Sequence, residues 1–374
     1  MNILLPDNLT LLFFLASQME IPFVSVIIDT YNHERFIEAA VNSVLAQDYP
    51  ASRREILVVD DGSTDATPEI LRKYSAQLRI LRKPNGGQAS AFNFAIPQCT
   101  GELVAFLDGD DYWAPGKLTA VVNAFVANLE VGLVGNGITE VLPNGALRSE
   151  LLRELPRFRI DSVANARAFR FRRSFLGTSR MAYRSELLKR IGPVPESLVI
   201  EADEYLFTLA GIFAEVLILR DALTFYRIHG ANLFQTSGKD QNAARRKYEV
   251  LTALAVSLKD RLQQESFSPD VAAAIVETVQ AEADMLRITI EPCWPWETVR
   301  VELENFRLMH QNISLARWLF KYFTLFPALF LSSRKYRSLK HDFGANPFYR
   351  RARARVLPAM RPAHVDRHGQ WGAE

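Results

Sequence analysis

Cysteine is almost missing from this chain: Cys99 and Cys293 are the only two in 374 residues. Two thiols so far apart build neither a disulfide framework nor a zinc cluster, and they fit a reducing compartment. Long apolar runs are scarce too. Residues 9–16 (LTLLFFLA) fall well short of the roughly 20 residues that a membrane span needs. No Lys or Arg precedes Glu20, so the basic start of a secretory signal is lacking. Residues 1–22 therefore read as an N-terminal extension. No G-x-G-x-x-G follows the first apolar run and no G-x-x-x-x-G-K-[ST] occurs anywhere. That argues against a dinucleotide dehydrogenase and a P-loop enzyme. Internal repeats and low-complexity tracts are absent as well.

What is present is globular in composition, 48% hydrophobic and 23% charged, in a length that suits one large domain or two ordinary ones. The stretch that organises the rest is LVAFLDGDDYW, residues 103–113. Its first five residues have the length and character of a buried strand. The carboxylates Asp108, Asp110 and Asp111 follow, with Gly109 among them. Three clustered charges inside a strand would cost a large desolvation penalty, so they belong where the strand opens into a loop. There they form either an acidic surface turn or a seat for a hard cation, Mg²⁺ or Mn²⁺, shared with substrate phosphates.

Three more strand–turn units precede it. Residues 24–29 (VSVIID) end in Thr30-Tyr31-Asn32, and apolar residues at helical spacing follow over 34–46. Residues 55–59 end in Asp60-Asp61, and Thr67-Pro68-Glu69 is a favoured helix start. Residues 78–81 form a short strand before the loop 84–87 and a helix over 88–96. Near-continuous apolar strands alternating with helices predict an α/β fold, a mostly parallel sheet with helices on both faces. Right-handed crossovers place the strand C-termini on one edge, where open α/β sheets bind ligands. Several polar strand ends thus converge on one crevice. Asp60 or Asp61 can accept hydrogen bonds from a base or ribose. The helix beginning near Gly87 offers free N–H groups to a polar or anionic ligand.

Four motifs in this order, VSVIIDTYN, VVDDGSTD, NGG and LDGDD, resemble those of the family 2 glycosyltransferases of the GT-A fold. The match covers roughly residues 23–235. One departure is plain: Asp29 stands where that family usually has Pro. The resemblance implies a nucleotide-sugar site with Thr30, Tyr31 and Asn32 at the base pocket, and Asp60 and Asp61 toward base or ribose. Gly87, Gln88, Asp108 and Gly109 would complete the donor contacts, with Asp108 facing the ribose. Asp110 would hold the metal, Mg²⁺ or Mn²⁺, with Asp108 and His229 as further ligands. Asp111 is either a third ligand or a supporting carboxylate. Tyr226-Arg227-Ile228-His229 looks like the family's Tyr-Arg-x-His motif. The family's catalytic base is an acid before a helix, which falls on Asp203, with Glu201 behind it. Glu204 is also allowed by the spacing.

Beyond the crevice strands, a helix over 115–126 and a strand over 131–138 lead to a hairpin turned by Asn144-Gly145. Residues 148–174 are rich in Arg, including Arg153, Arg157, Arg170, Arg172 and Arg173. They form either a solvated loop or a contact for an anionic acceptor. Residues 176–184 read as a strand. From about 239 the pattern turns helical, and residues 314–331 (SLARWLFKYFTLFPALFL) suit an interfacial helix. The tail from Arg334 carries ten Lys/Arg against Asp342, Asp366 and Glu374. It fits an anionic leaflet or a packing layer; no recognition motif for nucleic acid accompanies the charge.

The expectation is a transferase domain over 23–238, with nucleotide-binding and acceptor halves meeting near 113. An extension (1–22) precedes it and a helical, basic region (239–374) follows. The resemblance implies an inverting, metal-dependent glycosyltransferase using a UDP-sugar and a saccharide or lipid-linked acceptor. Such an enzyme would be cytoplasmic and peripheral on the inner membrane face. The alternatives are a glycosyltransferase-like fold that binds a nucleotide or partner without catalysis, and a nucleotidyltransferase, which would release pyrophosphate.

Overall fold

The computed structural model describes residues 21–149, 157–169, 176–229, 241–265, 267–291, 293–309, 313–336 and 339–340. The strand–helix alternation opens with β1 (Val24–Thr30), α1 (Ile37–Leu45), β2 (Arg54–Asp60), α2 (Thr67–Arg72), β3 (Arg79–Arg82), α3 (Gly87–Ala95) and β4 (Leu103–Asp108). Next come β5 (Tyr112–Trp113), α4 (Lys117–Ala127), β6 (Val131–Val141), β7 (Leu147–Ser149), β8 (Arg157–Phe158) and α5 (Val163–Phe169). Then follow β9 (Ala182–Arg184), α6 (Ser185–Ile191), α7 (Ala202–Phe213) and β10 (Glu215–Arg227). Four helices end the described chain: α8 (Gln241–Gln264), α9 (Pro269–Ile290), α10 (Pro295–Met309) and α11 (Leu315–Leu325).

One sheet runs in the order β3-β2-β1-β4-β9-β6-β10-β5. The pairs β3-β2, β2-β1 and β1-β4 are parallel, as apolar strands separated by helices require. The short β9 is antiparallel to both of its neighbours, β4 and β6. It joins the nucleotide-binding half to the parallel pair β6-β10. The Asn144-Gly145 hairpin forms as expected, pairing β6 with β7, and Gly145 takes the positive φ of 79° that such a turn needs.

The sheet buries apolar residues on both faces. On one, Ile37, Val41 and Val44 of α1 and Leu118 of α4 pack against Val26, Ile28 and Leu107. On the other, Phe92 of α3 and Phe207 of α7 pack with Ile27, Val104 and Phe106. Leu254 and Leu258 of α8 and Ile275 and Val279 of α9 belong to that same core. Helices thus cover both faces, and the first two helices of the C-terminal region are built into the core.

The strand expected over 176–184 is a correction. Thr178–Arg180 is a 3-10 turn, and only Ala182–Arg184 pairs in the sheet. The carbonyl of Ser179 is drawn out of any ladder by three donors: Trp113 Nε1 (3.0 Å), Lys117 Nζ (2.5 Å) and Thr224 Oγ1 (3.0 Å). Of the Arg-rich segment, Arg157 is engaged by Glu215, Glu130 and Asn128. Arg153, Arg170, Arg172 and Arg173 lie outside the described residues, as do residues 1–20 and the tail from 341.

Candidate active site

The strand ends meet on one edge because their register is fixed. Thr30 pairs with Asp60, and Asp29 with Asp108. The backbone continues the ladder into the turns: Asp61 N donates to Thr30 O (2.9 Å) and Gly109 N to Asp29 O (2.8 Å). At position 109 a Cβ would lie 2.6 Å from Thr30 Oγ1 and 2.8 Å from His33 Nδ1. Only glycine lets the acidic turn sit this close to the end of β1.

Oxygens of Asp108, Asp110 and Asp111 lie within 4.8 Å of one another. Each carboxylate has different surroundings. Asp110 Oδ2 is 3.0 Å from His229 Nε2 and 3.9 Å from His33 Nε2. Burial acts to raise the Asp110 carboxyl, but the His229 hydrogen bond and the two imidazoles outweigh it and hold it below the ordinary carboxylate range. Phe36 braces the His229 ring at 4.6 Å. Asp111 is buried, with both oxygens engaged: Oδ2 accepts from Ser179 Oγ (2.6 Å) and Oδ1 from Arg227 N (3.0 Å). It supports the turn from within the chain. Ser179 Oγ also accepts from Asp108 N (3.0 Å), so one hydroxyl ties two of the three acids together. Arg227 reaches back to donate to Asp110 O (2.8 Å).

Asp29 adds a fourth carboxyl. Its Oδ1 is buried without a hydrogen-bond partner. Desolvation, then the charge of Asp110, push the group up to about 7. Asp108 is raised well above its ordinary value by burial and by Asp29 and Asp110. An orphaned carboxyl oxygen beside crowded carboxylates is a surplus of hard, negative donors. That donor set, Asp108 and Asp110 with His229 alongside, fits Mg²⁺ or Mn²⁺.

The other residues expected at the site gather around this edge. Tyr31 is exposed at the rim. Asn32 adopts a left-handed backbone (φ 55°); its Oδ1 accepts from Thr64 N (2.8 Å) and its N donates to Ser63 Oγ (2.9 Å). It fastens the first turn to the second. Asp60 is buried, accepts from Ser63 N (2.8 Å) and lies 3.3 Å from Arg82 Nε. Asp61 accepts from Lys83 Nζ (2.5 Å), Gly86 N (3.1 Å) and Gly87 N (2.7 Å), which holds the start of α3. Gly87 has φ +81°, and a Cβ there would lie 2.7 Å from Val199 Cγ1.

Gln88, in the first turn of α3, links the two sides of the crevice. Its Nε2 donates to Thr178 Oγ1 (2.9 Å) and approaches Asp108 Oδ1 (3.4 Å). Thr178 Oγ1 in turn reaches Asp203 Oδ2 (3.5 Å). Asp203 sits in the first turn of α7, where Oδ1 accepts from Glu204 N (2.8 Å), and burial raises its carboxyl. Glu201 is buried at the cap of α7 with a left-handed backbone (φ 68°), and Glu204 Oε1 accepts from Thr208 Oγ1 (3.2 Å). Of the three acids, Asp203 is the one joined to Asp108 through Gln88 and Thr178.

Three contributors escaped the sequence reading. His33 lies beside Asp110, and its place three residues after Thr30 in the strand-end turn was a usable signal. Ser179 had none, standing in a segment that reads as strand. Lys117 is wholly buried 4.2 Å over the Trp113 ring. Burial, then Arg180, push its ammonium well below the ordinary lysine range.

Residues 25–192 match the family model described as Glycosyl transferase family 2. An uncharacterized glycosyltransferase of Nostoc sp. is 36% identical over 219 residues, covering 56% of this chain and 66% of that protein. Glycosyltransferase AglE of Haloferax volcanii is 34% identical over 193 residues, covering 49% of this chain and 59% of AglE. The match thus spans about three fifths to two thirds of these relatives' length. The crystal structure of Staphylococcus aureus TarS 1-349 in complex with UDP-GlcNAc superposes with a TM-score of 0.53 at 23% identity, covering 82% of this chain and 81% of that one. At that identity the likeness is one of fold, a GT-A transferase fold.

Proposed function

Residues 25–192 match glycosyl transferase family 2, and from that premise we propose an inverting, metal-dependent enzyme that moves a sugar from a nucleoside-diphosphate donor to an acceptor hydroxyl. The UDP-GlcNAc bound by TarS supports a UDP-sugar as donor. The acceptor is a saccharide or a lipid-linked sugar, in the making of a cell-surface polysaccharide or glycolipid. A cytoplasmic place, peripheral on the inner membrane face, goes with such an acceptor.

The observation that carries this reading is the side-chain bridge Asp108–Gln88–Thr178–Asp203. It joins a carboxylate of the acidic turn to Asp203 in the first turn of α7, which supports a reacting centre between them. Asp110 and Asp108, with His229, would hold Mg²⁺ or Mn²⁺, which supplies positive charge against a leaving nucleoside diphosphate. Thr30, Tyr31 and Asn32 border the base, with Asp60 shaping the second turn. Asp61 acts through the Gly86-Gly87 backbone that it fixes. Asp203 takes the proton of the acceptor hydroxyl as that oxygen bonds to the anomeric carbon and the bond to the diphosphate breaks. Glu201, buried at the cap of the same helix, is the alternative base.

Two variants test this. Asp110→Ala should abolish metal-dependent donor hydrolysis and transfer; full activity would remove the acidic turn from the mechanism. Asp203→Asn should keep UDP binding, read by calorimetry with Mn²⁺, while turnover falls roughly 10²–10⁴-fold. If Glu201→Gln does this instead, the base is Glu201. Nucleotide binding without turnover of any donor in the wild type would leave a binding protein.

A further inference from the structure

The last described helix shows an apolar face to solvent. Lys321, the charged residue in the middle of α11, points into the protein, 2.7 Å from the wholly buried Glu302 of α10. Leu315, Leu319, Tyr322, Phe323, Phe326 and Phe330 point outward, with Phe323 79% and Phe330 73% exposed. Their spacing draws one stripe along α11 and the 3-10 turn Phe326–Leu329. A helix lying on a globular core turns its apolar face inward; this one buries Leu325 but leaves a second apolar face in solvent. Trp294 and Trp296, at the start of α10, are 72% and 61% exposed. A hollow lined by Trp294, Pro295, Phe330 and Leu331 joins them to the stripe. Apolar side chains scattered singly over a surface need no explanation, but a contiguous patch marks an interaction site.

The charges around the patch say what it meets. Residues 313–340 contain no Asp or Glu but six basic residues, Arg317, Lys321, Arg334, Lys335, Arg337 and Lys340. Arg334 and Lys335 are exposed next to the stripe. Lys340 returns to Glu302 of α10 (3.2 Å). We propose that this face docks on an anionic phospholipid bilayer, with the stripe and the two tryptophans in the interface and the exposed Arg334 and Lys335 at the phosphates. Aromatic residues favour that depth. Among the described residues no helix is long and apolar enough to cross a membrane, so the contact is with the surface. A second copy of the chain is the poorer occupant, because pairing the stripe with itself would bring basic segments together with no acid in either.

The test is sedimentation of the full chain with vesicles of phosphatidylcholine alone and of phosphatidylcholine mixed with phosphatidylglycerol. Binding should require phosphatidylglycerol and weaken with salt. Brominated acyl chains should quench tryptophan fluorescence in the wild type. The double variant Phe323→Glu, Phe330→Glu should lose at least about tenfold in partitioning while keeping donor hydrolysis in solution, so failure here is separable from failure of the catalytic reading. Arg334→Ala with Lys335→Ala should weaken binding to the anionic vesicles. No binding to either vesicle, unchanged binding by the double Glu variant, or no quenching overturns the proposal. So does a wild-type dimer in solution that the double variant dissociates.

Discussion

Asp203 is a carboxyl that burial keeps closer to neutral than water would. As a base it works only when ionised, so turnover should rise with pH through a midpoint above the ordinary carboxylate value of about 4. Stability runs the other way. A raised folded pKa means that the native state binds this proton more tightly than the unfolded chain, so stability falls as pH rises from the unfolded value through the folded one. Asp203→Asn should therefore gain stability relative to wild type as pH rises above about 4 and show no such gain below it. Urea unfolding at a series of pH values reads this; a difference independent of pH would mean that Asp203 is not held up by burial. Single residues are also where the sequence was least legible. Asp111 could be a ligand or a support, and only the folded chain shows both of its oxygens taken by Ser179 and Arg227. Those partners lie 68 and 116 residues away, beyond the reach of any local pattern.

The elements that carry the site were largely readable, because β1, β2 and β4 are apolar runs that end abruptly in polar turns. What reads less well is how an element is fastened. The start of α3 lacks a capping side chain of its own, and Asp61, 26 residues earlier, does that work through Gly87 N. Asp61→Ala would strand the N–H groups of Gly86 and Gly87 and leave the ammonium of Lys83 without its carboxylate. It should cost about 2 kcal/mol in urea unfolding. Asp61→Asn, which keeps one acceptor, should cost less. An unchanged midpoint for Asp61→Ala would mean that water serves these donors equally well. The 3-10 turn at Thr178–Arg180 shows the opposite failure: a segment that looks like strand is pulled out of the sheet by Trp113, Lys117 and Thr224. Side-chain donors buried from three other places defeat a local propensity.

For the whole molecule, composition and alternation were enough to give an α/β sheet with a helical end. The antiparallel β9 at the centre of the sheet was not foreseeable, since three residues carry no pattern. Nor was the ionic latch at the far end. Glu302 is buried between Lys321 and Lys340, so it fixes α11 and the root of the basic segment to α10. Removing one partner of a buried ion pair commonly costs about 3–5 kcal/mol. Glu302→Gln should therefore loosen α11 and expose Arg317 and Lys321 to trypsin, while donor hydrolysis at the distant crevice stays at the wild-type rate. Equal protection in wild type and variant would show that apolar packing alone holds the helix.

The register of β1 against β4 has one further consequence. Neighbouring strands stand about 4.8 Å apart, and the ladder fixes Asp29 opposite Asp108. The backbone that carries either carboxyl cannot retreat without slipping a strand that is buried on both faces. The mutual repulsion is thus work done in advance by the core, at folding, before any ligand arrives. The crevice is a loaded receptor whose appetite for positive charge is set at the ends of two buried, paired strands. The loops around it are left free to differ in shape without altering that charge.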